Sequence, residues 1–225
     1  MGRLYVFGDI HGQAGMLDGI LDRIAPDRKA DKLIFLGDYI DRGPEAKQVV
    51  DRLLALQRAG YNTVFLKGNH EAMLLDSYLT GRQPEFFLRN GGEATLKSYG
   101  LEIFPPKEAR LPAAHQVFFE ELKKYHTEPG YIFVHAGLRP GVPLEDQVET
   151  DLFWIRDEFF GQDHDWGATV IFGHTPFHEP FQRGEMIGID TGTAYGGHLT
   201  CLVLPDMKII QSENHHRAAA EPAVD

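Results

Sequence analysis

The chain of 225 residues holds 33 acidic and 22 basic residues, a formal net charge of −11, with 43% hydrophobic and 24% charged residues. That length buries one substantial core, in the composition of an ordinary globular domain. An acidic surface argues against nucleic acid and anionic membranes as partners, since both need clustered Lys and Arg, while an anionic substrate stays open because bound dications make a site locally positive.

Cys201 is the single cysteine, so no intrachain disulfide forms and a reducing compartment suffices. The start "MGRLYVFGD" lacks the basic, apolar and small-residue stretches of a secretory signal. No run of about 18 apolar residues offers a membrane span. The expectation is a soluble cytoplasmic protein, with no oligomeric state indicated.

Along the chain, short apolar runs alternate with amphipathic segments. "RLYVF" (3–7) reads as a strand, followed by a helical stripe of Met16, Leu17, Ile20, Leu21 and Ile24. "KLIFL" (32–36) is a second strand, and a helix from about Pro44 carries Val49, Val50, Leu53, Leu54 and Leu56 up to Gly60. "NTVFL" (62–66) is a third strand and "EAMLLDSYL" (71–79) a helix. This alternation predicts parallel pairing with right-handed crossovers. Residues 82–128 read as a helical, aromatic insert over one edge of the sheet. Strands return at "YIFV" (131–134), "TVIF" (169–172), "MIGID" (186–190), "LTCLVL" (199–204) and "KII" (208–210), and their close spacing predicts antiparallel pairing among the later ones. A single domain is expected over 1–212, with a disordered tail at 213–225.

The chemistry sits where strands stop. Their ends read Gly8-Asp9-Ile10-His11-Gly12, Gly37-Asp38-Tyr39-Ile40-Asp41-Arg42-Gly43, Gly68-Asn69-His70-Glu71, His135-Ala136-Gly137 and Gly173-His174. Parallel strands gather ligand sites beyond their carboxyl ends, so segments remote in sequence can meet there. One such Asp or His is ordinarily a polar loop residue, but five glycine-bearing motifs of this kind on five strand ends point to a shared pocket. Asp9, Asp38, Asn69, His11, His135 and His174 form a mixed oxygen and nitrogen donor set without thiolate, which suits Mn²⁺, Fe or Zn²⁺. Six ligands exceed what one open-sided ion uses, so two divalent ions sharing Asp38 are expected, Mn²⁺ first.

"GDIHG", "GDYIDRG", "GNHE", "HAG" and "GH", in this order, resemble the metallophosphoesterase superfamily and within it the phosphoprotein phosphatase branch. The resemblance covers residues 1–210 and implies an α/β/β/α sandwich with central mixed sheets flanked by helices. It implies Asp9 and His11 on a first metal, Asp38 bridging, and Asn69, His135 and His174 on a second. His70 resembles the general acid, Asp41 the carboxylate that orients it, and Arg42 and Arg156 the phosphate clamps. The implied reaction is in-line attack by a hydroxide between the metals, without a phosphoenzyme. Tyr195 lies near a family site position, with simple packing as an equal alternative.

The expected substrate is a phosphorylated protein, cleaved at phosphoserine or phosphothreonine, with dual specificity toward phosphotyrosine as an extension of the same reading. The alternative is a small phosphoester substrate, in the manner of the symmetrical diadenosine tetraphosphate hydrolases. "LRNGGEATLKSYG" (88–100) resembles segments in both groups and does not separate them. A non-catalytic scaffold fits worst, because it has no use for an intact ligand set.

Overall fold

The computed structural model describes residues 2–78, 80–82, 84–103 and 110–213. The strands are β1 (Leu4–Phe7), β2 (Lys32–Phe35), β3 (Asn62–Phe65), β4 (Tyr125–Glu128), β5 (Tyr131–Val134), β6 (Thr169–Phe172), β7 (Phe181–Arg183), β8 (Met186–Gly188), β9 (Thr200–Leu204) and β10 (Lys208–Gln211). The helices are α1 (Ala14–Ile24), α2 (Ala46–Arg58), α3 (Asn69–Met73), α4 (Pro84–Phe87), α5 (Glu93–Ser98), α6 (Ala113–Glu120), α7 (Glu149–Trp154) and α8 (Asp157–Phe160). Among the described residues, no helix is long and apolar enough to cross a membrane. The expected disordered tail lies outside the described residues from 214 onward.

Two mixed sheets form, in the orders β10-β9-β1-β2-β3 and β4-β5-β6-β8-β7. Their strands are apolar on both faces because each sheet is covered on both sides. Val6, Ile34, Val64 and Leu202 of the first sheet meet Phe133, Ile171 and Ile187 of the second in one buried cluster. The alternate residues Tyr5, Phe7, Leu33, Phe35 and Phe65 face outward to Leu17 and Ile20 of α1 and Val49 and Leu53 of α2. On the far side, Val134, Val170 and Phe172 pack with Leu152, Phe153 and Phe159 of α7, the turn around it and α8. The result is the expected four-layer sandwich.

As the alternation predicted, β1, β2 and β3 pair in parallel, with Val6 opposite Ile34 and Ile34 opposite Val64. β9 runs antiparallel to β1 and β10, also as expected. The prediction fails at β8, which lies parallel to β6. The 173–185 connection is long enough for a crossover, and it carries β7, which hairpins back onto β8. The insert is helical as far as α6, packing through Phe87, Leu96, Phe118 and Phe119 against the α2 side of the first sheet. Its last residues are not helical. Tyr125–Glu128 is an edge strand turned onto β5 through Pro129-Gly130, with Gly130 at φ 82°. "YHTE" was hidden from pattern reading because it has no apolar run, and its pairing is supplied by the neighbouring strand.

Candidate metal centre

All five motif-bearing strands end at one edge of the sandwich, and the chain leaves them under strain. His11 (φ 46°), Asp38 (51°), Asp41 (69°), Arg42 (67°) and His174 (63°) all adopt left-handed backbone conformations. Such positions cost about 1–3 kcal/mol each for non-glycine residues and survive only where the surroundings impose them. The glycines are required by closeness. A Cβ on Gly68 would collide with Asp38 Oδ1, and one on Gly173 with Asp9 Oδ1.

Two groups of ligand atoms result, His11, Asp38 and His70 in one and Asp38, His135 and His174 in the other, each within 4.8 Å. Asp38 belongs to both and divides its oxygens between them. Oδ2 lies 3.6 Å from His11 Nε2 and 3.8 Å from His70 Nε2, whereas Oδ1 lies 3.4 Å from His135 Nε2. Asn69 Oδ1 sits 3.0 Å from His135 Nε2 and 2.9 Å from His174 Nδ1. Asp9 joins the cluster by accepting the His174 backbone N–H at 3.1 Å.

The imidazoles present lone pairs inward. His11 Nδ1–H donates to Ile40 O and His135 Nδ1–H donates to Leu36 O, both at 2.9 Å, which leaves Nε2 of each ring as the inward atom. Burial holds His11 and His174 well below the usual histidine range, and pushes His135 down to about 3. The rings are therefore neutral near pH 7. Burial and repulsion from neighbouring carboxylates drive Asp9 and Asp38 well above the ordinary carboxyl range. Acceptor facing acceptor, as His135 Nε2 does Asn69 Oδ1, is what a cation resolves. The residues present thus fit a pair of divalent ions, with an oxygen and imidazole donor set of the Mn, Fe or Zn type.

His70 differs from the other rings. Its Nδ1–H donates to a carboxylate, Asp41 Oδ2, at 2.6 Å, while its Nε2, like that of His174, is buried without a hydrogen-bond partner. Burial, then the Arg42 charge, lowers its pKa well below the usual value, and burial raises Asp41. Arg42 reaches the centre directly, its Nη1 donating to His11 Nε2 at 2.9 Å. The Arg42 guanidinium also lies over the Tyr195 ring, 5.2 Å from its centroid, and Tyr195 is exposed rather than packed. Arg156 is exposed at the start of α8, and its charge acts on His135, His174 and Asp190. All ten residues singled out in the sequence therefore lie in or beside one site.

With that geometry, residues 2–200 match the calcineurin-like phosphoesterase family. The chain belongs to that family. Among curated proteins it is 27% identical, over 91% of this chain and 92% of the relative, to an asymmetrical bis(5'-nucleosyl)-tetraphosphatase PrpE of Bacillus thuringiensis. Among solved structures it resembles a candidate diadenosine tetraphosphatase, with TM-score 0.72 and 24% identity, over 93% of this chain and 92% of the other. It also resembles a cold-active protein tyrosine phosphatase, with TM-score 0.69 and 15% identity, over 94% of this chain and 76% of the other. These structural likenesses establish a shared fold.

Three residues of this phosphoesterase site escaped the sequence reading. Glu71, the last letter of "GNHE", accepts backbone N–H groups from Asp38 (2.9 Å), Tyr39 (2.9 Å) and Gly68 (3.0 Å), tying two motif loops together. Burial raises it to about 7 against those three hydrogen bonds. Asp190, buried beyond β8, raises the Asp9 carboxyl by repulsion and is itself pushed up by burial to about 6. "GID" followed by Thr-Gly is a sixth strand end of the same kind and was the available signal. Thr95 gave no signal. Its hydroxyl accepts the Asp41 N–H at 2.8 Å and donates to Asp41 Oδ1 at 2.5 Å. The insert thus serves the site: Thr95 holds Asp41, and Gly91 O accepts the Arg42 N–H at 3.1 Å.

Proposed function

We propose that this phosphoesterase hydrolyses dinucleoside tetraphosphates into unequal halves. Support comes from one observation above all: two groups of potential ligand atoms that share Asp38, with His70 paired to Asp41 alongside, in a chain that aligns over nearly its full length with asymmetrical tetraphosphatases. The phosphoprotein phosphatase expected first from the sequence has only fold-level likeness behind it. The alternative weighed beside it is better supported, with asymmetrical in place of symmetrical scission.

Asp9, His11, Asp38, Asn69, His135 and His174 would hold the two cations, Asp38 serving both. When bound, such a pair supplies a hydroxide nucleophile near neutral pH and takes up charge on the phosphoryl oxygens. Arg42 and Arg156 offer planar, permanently charged forks to those oxygens. His70 Nε2 is the atom that would pass a proton to the departing phosphate oxygen once the ring has been protonated there, while Asp41 fixes the ring through Nδ1. The ligand side chains are buried, which strengthens the charge interactions among them.

The test is a substrate panel with added Mn²⁺, comparing diadenosine tetraphosphate with phosphoserine and phosphotyrosine peptides and resolving nucleotide products by ion-exchange chromatography. ATP with AMP is the expected outcome. Two ADP would make scission symmetrical, and preference for a peptide would return the chain to the phosphoprotein phosphatases.

A further inference from the structure

A cleft of about 570 Å³ opens beside the metal centre, between α4, α7 and the turn after α3. That volume lies within the range of small-molecule sites. Trp154 joins the cleft to the centre, its ring edge-on to metal-facing His174 at 6.1 Å between centroids. On its other side Trp154 meets Phe86 at 5.9 Å and 38°, so two rings form a splayed shelf. Phe86 is 44% exposed, which is unusual for a large apolar ring and leaves much of it uncovered. Lys67, directly before the Gly68-Asn69 motif, lines the cleft, as does Arg82. Of the acidic wall residues, Glu149 pairs with Lys124 at 3.0 Å, and Asp76 pairs within the cleft with Arg82 at 3.6 Å.

We propose that this cleft is a nucleoside subsite, in which one base of a dinucleoside polyphosphate stacks on Phe86 and Trp154 and Lys67 meets the phosphate chain on its way to the metals; it rests on the dinucleotide assignment above. Aromatic rings beside cations match the alternation of base and phosphate in such a ligand. A lipid or apolar peptide would leave Lys67 without a complementary group. The position also bears on which bond breaks. Only two ring contacts separate Phe86 from His174. A base anchored so near presents the phosphates closest to its own ribose, and scission there leaves unequal products.

Steady-state kinetics of Phe86→Ala test the subsite on two substrates, diadenosine tetraphosphate and p-nitrophenyl phosphate, the latter too short to reach the shelf. Loss of one stacked base predicts that the ratio of kcat/KM for dinucleotide to that for p-nitrophenyl phosphate falls about 5–100-fold, carried by KM. Phe86→Tyr, which keeps the ring, should restore the ratio. Wild-type cleavage of the dinucleotide with an unchanged ratio in Phe86→Ala overturns the subsite and leaves the dinucleotide assignment standing. An equal fall on both substrates also overturns it, because Phe86 then acts only through the fold. A wild-type enzyme inert to the dinucleotide removes the assignment and the subsite together.

Discussion

Thr95→Val replaces a hydroxyl by a methyl at nearly constant volume, in a side chain with 0% exposure. Two hydrogen bonds disappear, one donated by the Asp41 N–H at 2.8 Å and one accepted by Asp41 Oδ1 at 2.5 Å. A bond to a charged group contributes about 1.5–3 kcal/mol, and an orphaned buried N–H costs about 1–3 kcal/mol. Together they predict about 2.5–6 kcal/mol of destabilisation, read as a melting temperature lower by about 5–24 °C in a domain of this size. Kinetics are read well below the variant's measured melting temperature, because native stability is typically only about 5–15 kcal/mol. Asp41 is also the hydrogen-bond acceptor of His70, so part of the loss should reach turnover. A misdirected ring sacrificing about 1.4–2.8 kcal/mol of transition-state stabilisation lowers kcat about 10–100-fold with little change in KM. Thr95→Ser keeps both bonds and should restore kcat. Thermal melts and steady-state kinetics on the same preparations separate the two effects. Wild-type kcat in Thr95→Val, whatever its melting temperature, would refute the claim that the insert positions the His70–Asp41 pair.

Further outcomes follow from the same geometry. His70→Asn should lower turnover about 10²–10⁴-fold while metal content, by elemental analysis, stays near wild type; loss of metal would make His70 a ligand, as its distance to Asp38 also allows. Asp38→Asn should weaken retention of both ions after dialysis, and loss of only one contradicts the division of its oxygens. Gly68→Ala forces a methyl onto Asp38 and should destabilise the fold by about 1–3 kcal/mol in denaturant titrations; an unchanged midpoint would mean that the two loops are not held in contact.

Much of this site was legible before any coordinates. The periodicity of α1 and α2 and the apolar runs of β1, β2 and β3 are local properties, and local sterics with burial on both faces suffice to predict them. The motif at each strand end was legible for a related reason. Asp9, Asp38, Asn69 and His174 sit beside glycines that a crowded ligand pocket requires, and that requirement is written in adjacent residues. β4 and the parallel placement of β8 were not legible, because a short edge strand and a crossover take their partners from remote chain.

The sequence by itself determined which donor atoms this chain carries and that each would emerge where a strand ends. Only the tertiary structure decided how Asp38 divides its oxygens, that Thr95 steadies Asp41 from 54 residues away, and that Phe86 and Trp154 form a shelf beside His174. The physical reason is range. Backbone sterics and periodicity act over a few residues, whereas the direction of a lone pair or the face of a ring is set by whatever packs against it, and that becomes known only when the layers close.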